Sequence, residues 1–66
     1  MQVYVNGAAH DVEAGSSVAE LLALVSAPSE GIAVEVNQSI VRRAELGEKR
    51  LSEGDRVEIV GLVGGG

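Results

Sequence analysis

The sequence predicts an α+β domain in which one main helix packs on one face of a mixed sheet of four to five strands. Three observations carry that expectation. Apolar and polar residues alternate in three separated stretches, MQVYV, GIAVEV and RVEIV, which is the period of half-buried strands. One intervening stretch, SSVAELLALVSAP, carries helical spacing instead. A chain of 66 residues, 45% of them apolar, has room for one small core and no more.

MQVYVNG places Met1, Val3 and Val5 on one face and Gln2 and Tyr4 on the other. Asn6-Gly7 then tolerates the positive φ of a tight hairpin turn, so AAHDVE is the return strand, with Val12 inward. Ser17 and Glu20 have the spacing of a helix capping box. Val18, Leu21, Leu22 and Val25 follow as one buried stripe, and Pro28 closes a helix of about ten residues. GIAVEVN is the third strand, with Ile32, Val34 and Val36 inward and Asn37 at the turn. Ile40-Val41 suits a short edge strand. Leu46 and Leu51 can tuck under the domain from irregular segments. SEGD is a tight turn, and RVEIVGLV is the last strand, with Val57 and Ile59 on one face and Glu58, Val60 and Leu62 on the other. An opening hairpin, one helix and a final strand returning through the middle would make the β-grasp arrangement of ubiquitin-like folds, an element order that other small α+β folds also share.

Ten acidic residues against five basic ones give a net charge of -5, which disfavours a nucleic-acid partner. No apolar run approaches membrane-spanning length, and no leader pattern opens the chain. The expectation is a complete cytoplasmic protein. With no cysteine there is no disulfide, no thiolate metal site and no thiol nucleophile. His10 follows the hairpin turn and is expected to be solvent-exposed; beside Asp11 and Glu13 it has no metal-ligand spacing. Ser16 and Ser17 suit a helix cap. Gly7, Gly31, Gly47 and Gly54 suit turns and form no phosphate loop. Neither a metal nor a cofactor is expected.

The chain closes in GLVGGG. Glycine buries no side chain and loses the most entropy on ordering, so three in a row do not serve stability. The expected organisation is a domain over 1–61 and a flexible glycine-rich tail over 62–66.

The opening MxVxVNG, the turn after VEVN, the SEGDRVEIV lead into the last strand and the terminal VGGG together resemble the ThiS family, the sulfur carrier proteins of thiamine biosynthesis. One departure is Arg42, where many members carry a proline before the arginine. The resemblance implies that Gly66 is the modified residue. By that resemblance its carboxylate would be adenylated by a separate ThiF-type adenylating enzyme, attacked by a persulfide sulfur donor, and converted to a thiocarboxylate that donates sulfur for thiazole formation on a thiazole synthase. Gly64, Gly65 and Gly66 would enter partner active sites, where side chains would block the approach. The carrier itself would not be an enzyme. The small subunit of molybdopterin synthase is similar too, but commonly has phenylalanine and prolines before its glycines, where this chain has Val60, Gly61, Leu62 and Val63. Ubiquitin-like protein modifiers are a further relative.

In a β-grasp sheet the first and last strands are neighbours. Tyr4, Val60 and Leu62 are therefore expected to share an exposed apolar patch, with Glu58 among them, that forms the partner interface. Asp55 and Glu58 could set orientation by pairing with basic residues.

Overall fold

The computed structural model describes residues 1–28 and 30–61. Its order is β1 (Gln2–Val5), β2 (Ala8–Asp11), α1 (Val18–Leu24), β3 (Ile32–Val36), β4 (Ser39–Val41), a 3-10 turn at Arg43–Glu45, and β5 (Arg56–Gly61). The described strands form a single sheet in the order β2-β1-β5-β3-β4. β1 and β5 run parallel; the other pairs are antiparallel. The last strand thus returns through the middle of the sheet, and the fold is a β-grasp.

The core lies between one sheet face and the helix. Val3, Val5, Val34, Val36 and Val57 come from the sheet and Val18, Leu21 and Leu22 from the helix. Val41 and Leu51 join them, with Ile32, Ile59 and Leu46 packed against the rim. β-branched valines suit the pleated surface, their χ1 already restricted before folding. The two leucines supply the bulk the helix needs to fill the gap.

The start of α1 has every first-turn amide occupied, which removes the usual cost of a helix end. The Val18 N–H donates to the Lys49 carbonyl at 2.9 Å and that of Ala19 to the Leu46 carbonyl at 2.9 Å. The Glu20 N–H donates to Ser17 Oγ at 3.1 Å, while the Ser17 N–H donates to Glu20 Oε1 at 2.8 Å. The capping box is present as the S-x-x-E spacing predicts. The irregular 42–51 segment thus supplies two of the carbonyls that close the helix terminus.

The helix is shorter than its apolar stripe. It spans 7 residues, because the chain turns left-handed at Ser26, φ 58, before Pro28 is reached. The Ser26 N–H donates to the Ala23 carbonyl at 3.1 Å and the Ala27 N–H to the Leu22 carbonyl at 2.9 Å. These are the two bonds of a Schellman cap, built on serine where glycine is usual. A second difference concerns His10, which lies in β2 opposite Val3 and is half-buried. The return strand was expected to include it; pairing opposite the fully buried Val3 is what takes part of its surface out of solvent.

Both hairpins use two-residue turns with positive φ at both positions: Asn6 and Gly7 between β1 and β2, Asn37 and Gln38 between β3 and β4. Mirror-image turns of this kind match the twist of paired strands.

Candidate functional site: the outer face and exit of β5

β5 alternates as the sequence predicts. Val57 is fully buried and Ile59 partly so, while Glu58 and Val60 are exposed on the face away from the helix. Register decides what stands beside them. Tyr4 lies opposite Arg56 on one flank of β5. On the other flank Glu35 lies opposite Glu58 and Ala33 opposite Val60. Tyr4 and Val60 therefore share the outer face but stand at opposite ends of β5's outward row, about 13 Å apart at the usual rise, with Glu58 between them.

The Tyr4 ring is met by Arg56, whose guanidinium carbon sits 5.1 Å from the ring centroid, a cation–π distance. The apolar end of the face is formed by Val60, 49% exposed, with Ala33 opposite it, while Ile40, 71% exposed, stands on β4 opposite Glu35, in the row of the two glutamates. Ile40 was legible only as half of an apolar pair. With Val41 buried, period two turns Ile40 outward, and that signal was available in the sequence.

Glu35 and Glu58 are like charges at directly opposed positions, an arrangement that disfavours the free sheet. Among the described residues no cation forms an ion pair with either. Asp55 is committed elsewhere. Its carboxylate accepts from the Ser52 N–H at 2.7 Å and from Asn37 Nδ2 at 3.0 Å, so it organises the turn before β5.

The strand is held at both ends by asparagine side chains. Asn6 Oδ1 accepts from the Ile59 N–H at 2.8 Å and Asn6 Nδ2 donates to the Ile59 carbonyl at 3.3 Å. Asn37 Oδ1 accepts from the Arg56 N–H at 3.0 Å, and the Asn37 N–H donates to the Arg56 carbonyl at 2.8 Å. Each asparagine takes the place of a further strand residue after its own strand has turned away. The sequence showed both only as turn formers, because the left-handed backbone already accounted for the residue type.

β5 ends at Gly61. Leu62, Gly64, Gly65 and Gly66 lie outside the described residues. Among the described residues there is no cluster of metal-ligating side chains, and no helix is long and apolar enough to cross a membrane.

The ThiS family model matches residues 3–66. Over its full length the chain is 38% identical to a thiazole synthase of Magnetococcus marinus, of which it spans 20%. It is 32% identical to the sulfur carrier protein ThiS of Escherichia coli, with 100% of both chains covered. The crystal structure of a thiamine biosynthesis protein (ThiS) from Geobacter metallireducens superposes with a TM-score of 0.86 at 32% identity, covering 100% of both chains. A family match running from the first strand to the final glycine, with a solved relative that superposes over the whole chain, is decisive: the chain belongs to the ThiS family.

Proposed function

We propose that this chain is a sulfur carrier of thiamine biosynthesis whose working group is the α-carboxylate of Gly66. The observation that carries the reading is the family match through Gly66 on a fold whose central strand ends at Gly61, five residues before that glycine. Five residues beyond Gly61 reach roughly 16 Å when extended, enough to bring a terminus from the sheet into a pocket.

The chemistry follows from the carboxylate. Ionised at neutral pH, it is a poor electrophile. Transfer of AMP from ATP, with release of pyrophosphate, makes an acyl-adenylate. The terminal sulfur of a protein persulfide attacks the carbonyl carbon and AMP leaves, giving an acyl disulfide. A second thiolate attacks the donor's sulfur, forms a new disulfide with it and releases the thiocarboxylate. The electrons come from the thiols, and the carrier supplies only the carbonyl carbon and an address. It therefore acts as a substrate of its partners and not as an enzyme.

Those partners are a ThiF-type adenylating enzyme, a persulfide donor and a thiazole synthase. The similarity of this chain to 20% of two thiazole synthases supports the last, since there a carrier-like segment and the rest share one polypeptide. Tyr4, Glu58, Val60 and Leu62 form the docking surface: an apolar end at Val60 and an acidic centre at Glu58 that suits a basic side chain.

With the cognate adenylating enzyme, the chain should support ATP–pyrophosphate exchange. Removing Gly65 and Gly66 should lower exchange to background. Exchange that survives their removal would overturn the reading.

A further inference from the structure

The two asparagine clamps differ in one respect. Asn37 holds the entry of β5 at Arg56, and Asn6 holds its exit at Ile59. β1 pairs with β5 only at Tyr4↔Arg56 and Val5↔Val57, whereas β3 pairs with it as far as Ile32↔Gly61. Over the last part of β5, the flank towards β1 is therefore bound by the Asn6 side chain after the β1 backbone has left. The Asn6 N–H also donates to the Val57 carbonyl at 2.9 Å, so one residue spans two consecutive ladder positions of the parallel pair. A side-chain amide carries a donor and an acceptor in the same plane, as a peptide unit does, which is what lets it continue a ladder.

We propose that Asn6 is a positioning residue for the tail, fixing the line along which β5 delivers the segment after Gly61 to a partner active site. The inference rests on the carrier reading and adds a residue to it. A strand held on one flank only can swing about that flank. A reacting terminus carried several residues beyond the hinge then samples many directions, and misplacement of a reactant is costly even at small displacements. Holding β5 on the β1 flank as far as Ile59, in addition to its pairing with β3, narrows that range before the tail meets the enzyme. Docking is the business of the outer face, so Asn6 acts on the step after docking.

Asn6→Gly separates this role from turn formation. Glycine accepts the left-handed backbone at least as well as asparagine, so the hairpin remains while the amide is lost. With the adenylating enzyme and ATP, Asn6→Gly should lower kcat for adenylate formation about tenfold or more with KM for the carrier unchanged. Hydrogen exchange at the Ile59 amide should accelerate in the free protein. Asn37→Gly, which removes the matching clamp from the other end of the strand, should leave kcat as in the wild type. Val60→Asp, on the docking face, should raise KM. Wild-type kcat in Asn6→Gly, or equal losses of kcat in Asn6→Gly and Asn37→Gly, would overturn the proposal. A wild-type chain that is not adenylated would instead overturn the carrier reading beneath it.

Discussion

Glu20 ties a local sequence signal to a measurable property. Its carboxylate accepts a hydrogen bond from the Ser17 backbone amide, and that bond first, with the neighbouring Ser17 hydroxyl second, holds its pKa below the usual glutamate range. Arg50, 3.7 Å away and exposed, adds little, as surface pairs do. A carboxyl with a lowered folded-state pKa stabilises the fold above its unfolded value near 4.3, and that contribution is lost as pH falls through the folded value. The melting temperature should therefore fall between about pH 5 and pH 3 less steeply in Glu20→Gln than in the wild type, since glutamine keeps a neutral capping box. Parallel profiles would contradict the assignment. This residue was readable because its partner sits three positions away. The amide bonds of Asn6 reach across 53 positions, and no local pattern could announce them.

Elements were legible where period and punctuation agree. β5 shows this best: alternation set Val57 and Ile59 inward and Glu58 and Val60 outward, and the structure agrees. The helix shows the opposite. Its stripe continues through Val25, so periodicity and Pro28 placed the end too late, and a left-handed Ser26 without the expected glycine went unsignalled. That placement makes a prediction. Non-glycine residues pay for positive φ, so Ser26→Gly should stabilise the fold by about 0.5–1 kcal/mol, net of glycine's entropy. Gln38, at φ 72 in the β3–β4 turn, should respond to Gln38→Gly in the same direction, because Asn-Gly is the favoured pair there. Both would appear as higher thermal midpoints. Lower midpoints would show that the side chains contribute more than the backbone strain costs.

At the scale of the molecule, the sheet order was legible and its register was not. Period two assigns each side chain to a face, but it does not say which residues meet across strands. Hence Tyr4 was expected beside Val60, and the structure sets it beside Arg56. The same register brings Glu35 against Glu58, concentrating negative charge at the centre of the outer face in a chain of net charge -5. A surface of this kind favours a basic partner and loses its pull as salt is raised. Beyond that face, the proposed carrier role makes the molecule a small scaffold whose central strand ends at Gly61, five residues before the terminus. The mass of the chain, purified from a bacterium expressing it with its native operon, tests that account most directly. A gain equal to one oxygen replaced by one sulfur, located to the peptide containing Gly66, is the predicted result. An unmodified peptide, both from the cell and after incubation with ATP, the adenylating enzyme and a persulfide donor, would contradict it.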